Sequence, residues 1–190
     1  DRKNRTKKRS TLAQLNLSSL PHMDDLVLRN LAVSPYTCMV RRLTLRNCPM
    51  LSDSGFGALK GMRYLTAVHV DGCRGLRGMM FRDVLENCHG LIELTASGLP
   101  MLTDEAVRAI AARKSSFGYT GGTSGVLELR LLDFSKCRRL TDLSLQWLAS
   151  KLMNIRAMHL SECLLISDAS LNMIARSCVH LQSLRLKNCS

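Results

Sequence analysis

Aromatic side chains are scarce in this chain, at 4% of 190 residues, and acidic residues are outnumbered, with 15 Asp and Glu against 27 Lys and Arg. The first shortage means that any core is built mainly from aliphatic side chains. The second leaves a net charge of +12. No apolar run approaches the length of a membrane span, and no signal-peptide pattern opens the chain. No two of the eight cysteines form a C-x-x-C pair, which argues against zinc. The glycine-rich stretch KSSFGYTGGTSG at 114–125 lacks the lysine of a phosphate-binding G-x-x-x-x-G-K-[ST] loop. The G-x-G-x-x-G, G-x-S-x-G and H-E-x-x-H patterns are missing too. These absences remove the signatures of nucleotide, acyl-transfer and metalloprotease chemistry, and no cofactor or metal site is expected.

Six of the cations (Arg2, Lys3, Arg5, Lys7, Lys8, Arg9) fall in the first nine residues, opposed only by Asp1. The remaining 21 basic and 14 acidic residues carry +7, so nearly half of the excess belongs to this end. Residues 1–11 therefore read as a basic tail, suited to RNA, to an acidic protein surface or to a nuclear-import receptor.

What the chain has in abundance is self-similarity. Leu43-x-Leu45-x-x-Cys48-x-x-Leu51-Ser52-Asp53, followed by Phe56 and Leu59, returns as Met158-x-Leu160-x-x-Cys163-x-x-Ile166-Ser167-Asp168, followed by Leu171 and Ile174. The same frame fits Leu132, Phe134, Cys137, Leu140, Thr141 and Asp142, and again Val68, Val70, Cys73 and Leu76. Two copies carry leucine in place of cysteine, at Leu20 and Leu99, and an incomplete copy closes on Leu184, Leu186 and Cys189. Anchored on Leu15, Leu43, Val68, Leu94, Leu132, Met158 and Leu184, the spacings are 28, 25, 26, 38, 26 and 26. The one long interval exceeds its neighbours by twelve residues and contains the twelve of 114–125, which reads as an insertion between a helix and the next strand. Its Phe117 and Tyr119 are candidates for a docking loop.

Apolar residues two apart, as at Leu43 and Leu45, mark a short strand with one buried face, and the later apolar residues three apart suit one side of a short helix. The intervening Ser/Thr-Asp pair supplies a side-chain oxygen for the helix's unpaired N–H groups, so one of the two should cap it. Arg77-Gly78 replaces the pair after Leu76, and a poorer helix start is expected there. A single strand and helix cannot enclose a core, but stacked copies can, giving an α/β solenoid with a curved parallel sheet inside and helices outside.

This pattern resembles the cysteine-containing leucine-rich repeat of F-box/leucine-rich-repeat proteins, a ribonuclease-inhibitor-like solenoid, over residues 12–190 in about seven repeats. The resemblance implies a non-enzymatic scaffold that binds proteins. Members of such families serve as structural subunits of large assemblies, axonemal ones included, or as substrate receptors of ubiquitin ligases. Eleven residues ahead of the first repeat are too few for an F-box, and repeats running to Ser190 suggest part of something longer, so the structural-subunit reading stands first. A third reading is RNA or ribosome association through the basic tail and a basic edge.

Five cysteines (Cys48, Cys73, Cys137, Cys163, Cys189) share one repeat position; Cys88 and Cys178 share another, with Cys38 close to it. Recurrence at a stacked position reads as buried free thiols, and reduced thiols place the chain inside the cell, in the cytoplasm or its cytoskeleton. The residues flanking the strand anchors should face the concave side, where solenoids bind. They include Arg42, Arg46, His69, Asp71, Glu93, Asp133, His159, Arg185 and Lys187, with basic ends and an acidic middle. Such mixed charge suits a protein partner better than single-stranded RNA, which needs a basic groove with aromatic platforms. His69 and His159 read as ordinary surface histidines. Arg74, Arg77, Arg138 and Arg139 follow the cysteine position and should gather on one edge.

Overall fold

A computed structural model of the chain describes residues 12–111 and 128–189. The tail at 1–11 and the insertion at 114–125 lie outside the described residues. Each copy of the frame forms one three-residue strand: β1 (Gln14–Asn16), β2 (Arg42–Thr44), β3 (Ala67–His69), β4 (Glu93–Thr95), β5 (Leu131–Asp133), β6 (Ala157–His159) and β7 (Ser183–Arg185). They lie in chain order in one seven-stranded parallel sheet. The anchor residues pair across every junction, Leu15 with Leu43 through to Met158 with Leu184. Leu94 pairs with Leu132 in that same register, although the interval between them is the long one.

The strands are short because the chain turns after each. The residue just before the cysteine position has positive φ in all seven copies: Ser19, Asn47, Gly72, Gly98, Lys136, Glu162 and Asn188. This left-handed conformation is readily available only to glycine, with asparagine next. At Gly72 a Cβ would also collide with the Asn47 side-chain oxygen of the preceding repeat.

Helices return the chain to the next strand: α1 (Asp25–Val33), α2 (Asp53–Phe56) continuing as a 3-10 turn over Gly57–Gly61, α3 (Phe81–Asn87), α4 (Asp104–Ala111), α5 (Asp142–Ala149) and α6 (Asp168–Ser177). Within the Ser/Thr-Asp pair the hydroxyl residue is the cap. Ser52, Thr141 and Ser167 accept from the backbone N–H of Ser54, Leu143 and Ala169. The aspartate does something else: it reaches forward to the next repeat. Asp25 accepts from the N–H of Ser52 at 2.8 Å and from its hydroxyl at 2.5 Å, and Asp142 binds Ser167 in the same way at 2.8 and 2.6 Å. Gly55 makes room for Asp25, since a Cβ there would strike its carboxyl group and Cα. Where the pair is missing, Asp53 accepts instead from the N–H groups of Arg77, Gly78 and Met79, and α3 begins without a side-chain cap.

The core is a stack of equivalent side chains. Leu43, Val68, Leu94, Leu132 and Met158 are all buried, as are Leu51, Leu76, Leu102, Leu140 and Ile166 below them. Each such side chain contributes roughly 1.5–3 kcal/mol on leaving water. Three phenylalanines join this core: Phe56, Phe81 and Phe134 are buried, with the Phe81 and Phe134 ring centroids 6.5 Å apart, whereas Tyr36 and Tyr64 are exposed.

The cysteine ladder is buried for a reason that packing alone does not supply. The thiols of Cys48, Cys73, Cys137, Cys163 and Cys189 donate to the carbonyls of Leu17, Leu45, Ala96, Phe134 and Leu160, at distances between 2.7 and 3.3 Å. Each satisfies a main-chain acceptor of the preceding repeat just beyond its strand. Burial pushes the thiols of Cys137 and Cys163 up to about 12, and those of Cys73 and Cys88 up to about 11. Cys38 departs from this pattern and is exposed. The buried position equivalent to Cys88 and Cys178 is filled by Thr37, whose hydroxyl donates to the carbonyls of Leu31 and Ser34. Cys38, one residue later, points to solvent. Cys189 in the last copy is only half-buried.

Candidate interaction face

The sheet has one face against the helices and one open, and the open face carries the charged side chains that flank the anchors. Five of the expected residues meet across β2, β3 and β4. Arg42 stands on β2 and Glu93 on β4, yet their side chains join at 3.0 Å over the intervening strand. The same Arg42 Nη1 lies 3.1 Å from Nε2 of His69 on β3. The other ring nitrogen, Nδ1, is 2.9 Å from the Thr95 hydroxyl. That hydroxyl donates to Asp71 Oδ2 at 2.8 Å, and Arg46 Nε donates to the same oxygen at 2.8 Å. Asp71 Oδ1 accepts from the Ser97 backbone N–H at 2.9 Å.

The chain of donors fixes the histidine's state. A guanidinium can only donate, so Nε2 accepts and the proton sits on Nδ1, which donates to Thr95. His69 is not the surface histidine expected: it is buried at 7% exposure, beneath Arg42 and between two neighbouring strands. Burial, followed by the positive charges of Arg46 and Arg42, pulls its pKa below 6.5, against the opposing pull of Asp71 and Glu93. The neutral imidazole acts as a spacer that locks two arginines and two carboxylates into one geometry. The outer ion pairs are substantially exposed and contribute only about 0–1 kcal/mol each. Their effect is on orientation rather than stability.

Asp133 and His159 form a separate pair, with Nδ1 and Oδ2 3.5 Å apart across β5 and β6. Arg185 ends β7 and Lys187 follows it, and neither joins the central network. Phe117 and Tyr119 lie outside the described residues. Thr95 and Ser97 are uncharged links of the network; their signal is position, since Thr95 follows the anchor Leu94 and Ser97 follows the next apolar residue, Ala96. Along the edge of the sheet, beyond the strand C-termini, a shallow depression of about 300 Å³ is lined by Arg74, Gly98, Pro100, Lys136 and Arg138. Of the four arginines expected on this edge, Arg74 and Arg138 line the depression, joined by Lys136, and Arg77 and Arg139 do not.

No protein-family model matches the sequence. Solved structures resemble it. The tropomodulin C-terminal domain of Caenorhabditis elegans superposes with a TM-score of 0.50 at 12% identity, over 89% of this chain and 83% of that one. An internalin of Listeria monocytogenes superposes with a TM-score of 0.52 at 14% identity, over 93% of this chain but 55% of the internalin, so this chain spans about half its length. At such identities the likeness is one of fold. With the seven-stranded parallel sheet, it makes the chain an α/β leucine-rich-repeat solenoid.

Proposed function

We propose that this solenoid is a non-enzymatic scaffold that holds protein partners on its concave face, as a structural subunit of a larger intracellular assembly. The observation that carries the reading is the Arg42–His69–Thr95–Asp71–Arg46 network with Glu93. It presents charges of both signs in a fixed arrangement, spanning three repeats on the open face. Side chains already held in place lose little freedom when a partner docks, and alternating signs select a complementary protein surface and orientation. A uniform polyanion would meet Glu93 and Asp71 as well as the arginines.

The test exchanges the outer pair. Arg42→Glu and Glu93→Arg reverse one charge each, while the double exchange keeps an ion pair and inverts what a partner sees. The tagged chain, recovered from its native cells, should bring down stoichiometric protein partners. Each single reversal and the double exchange should lose them by at least about tenfold, with the melting temperature of the double exchange unchanged. Retention of the partners by all three variants would remove the concave face from the interaction. Recovery of ubiquitin-ligase components instead of a stable assembly would replace the structural role with that of a substrate receptor.

A further inference from the structure

The edge of the sheet beyond the strand C-termini carries a second pattern, independent of the concave face. The two residues after the cysteine position read Pro49-Met50, Arg74-Gly75, Pro100-Met101, Arg138-Arg139 and Leu164-Leu165 in five successive repeats. Apolar and basic repeats alternate, and none of the five holds an acidic residue. The apolar members are not in the core: Met50 is 56% exposed, Met101 38% and Leu165 54%. Met101 touches a basic neighbour, with Arg139 Nη1 3.9 Å from its sulfur. Between the basic repeats lies the depression lined by Arg74, Lys136 and Arg138.

The charge there is only partly matched. Glu162 serves both Lys136, at 3.7 Å, and Arg138, at 3.9 Å, so one carboxylate stands at long range between two cations. Among the described residues no carboxylate forms an ion pair with the side chain of Arg74 or Arg77. Neighbouring strands are about 4.8 Å apart, and an α-helix advances about 5.4 Å per turn. A helix lying along this edge therefore meets roughly one repeat per turn. Its complement would be apolar on one turn and acidic on the next.

We infer that this edge docks an acidic amphipathic helix of a partner protein, with its carboxylates in the Arg74–Lys136–Arg138 depression and its apolar side chains on Met50, Met101 and Leu165. Nucleic acid fits less well. The alternating positions offer exposed thioethers and aliphatic groups between the cations and no aromatic side chain on which a base could stack.

Fluorescence anisotropy on the full chain tests this. The probe is a labelled helical peptide of Glu, Leu and Ala that alternates Leu and Glu by turns along one face. A scrambled peptide of identical composition and a labelled oligouridylate serve as comparisons. The alternating peptide should bind at least about tenfold more tightly than either, and the triple variant Arg74→Gln, Lys136→Gln, Arg138→Gln should lose that advantage. Met50→Ser with Met101→Ser should weaken the peptide and leave its salt dependence unchanged. Because all five sites are on the surface, thermal melts should match the parent, and neutralising the cations of 1–9 should leave the preference intact. Equal binding of both peptides, tighter binding of the oligouridylate, absence of peptide binding, or an unaffected triple variant would each overturn the inference.

Discussion

Asp104 holds Thr141 by both ends, accepting from its backbone N–H at 2.9 Å and from its hydroxyl at 2.6 Å. The same carboxylate also accepts from the hydroxyl of buried Ser144. Thr141 is the cap of α5, so one aspartate fixes the start of the helix in the following repeat. Asp25 and Asp142 hold Ser52 and Ser167 identically, which makes the clamp a property of the repeat rather than of one site. In a solenoid each repeat packs mainly on its neighbours, and such links supply the coupling between them.

Removing the Asp104 clamp should therefore be costly. Asp104→Ala strands the Thr141 N–H and two hydroxyls, and a loss of about 2–3 kcal/mol is expected from charge-assisted hydrogen bonds. Asp104→Asn should cost less, because the amide oxygen still accepts. Urea denaturation of both variants decides it; equal losses would mean that the charge itself, and not the acceptor geometry, sets the clamp.

His69 makes stability sensitive to acid. Its folded pKa lies below 6.5, so just below that pH the unfolded chain binds more protons than the folded one. Stability is then full above 6.5 and falls as pH drops through the folded value. His69→Gln should flatten this slope, as seen in denaturation midpoints across mildly acidic pH. NMR titration of the His69 ring in the parent should show its midpoint below 6.5.

Thiol chemistry should single out one cysteine. Cys38 is exposed, whereas burial raises the thiols of Cys73, Cys88, Cys137 and Cys163 well above their usual range. Alkylation of the native protein at mildly basic pH, followed by peptide mass spectrometry, should label Cys38 first and half-buried Cys189 next. The other six should react only on unfolding. Rapid labelling of Cys137 would show that the ladder opens in the native state.

The left-handed turns should respond to glycine in opposite senses. Lys136, at φ 63, bears the strain of a side chain in that region, and Lys136→Gly should stabilise by about 1 kcal/mol. Gly72→Ala should destabilise by at least as much, because its Cβ meets Asn47 in addition to the strain. Thermal melts of the pair, read side by side, test both signs.

Deleting 114–125 should leave the solenoid cooperative. Both the Leu94–Leu132 pairing and the Asp104–Thr141 clamp keep the geometry of the other junctions across the long interval. Removing twelve residues returns its spacing from 38 to 26. The change in loop-closure entropy amounts to well under ~1 kcal/mol. A single transition at an equal or slightly higher melting temperature is expected. A lost or split transition would mean that these residues pack against the repeats.

The strand positions, the cysteine ladder and the weak start of α3 were all legible in the sequence. A solenoid repeats its contacts at its own period, so Leu43, Val68, Leu94, Leu132 and Met158 announce their stack by spacing alone. The roles that depend on a partner one repeat away were not legible. Nothing local tells that Ser52 caps its own helix while Asp53 serves the next repeat, because both oxygens suit a cap equally. Gly72, Gly98 and Asn47 hint at a left-handed turn, but Lys136 and Glu162 hide it, since the neighbouring ladder rather than their own preference holds them there. Cys38 and Thr37 exchanged places for a similar reason: a one-residue offset decides which side chain enters the stack. His69 was recognisable as an inward-facing residue of β3, and only the stacking of β2 and β4 on either side, with Arg42 above it and Thr95 beside it, decided that it is buried and neutral.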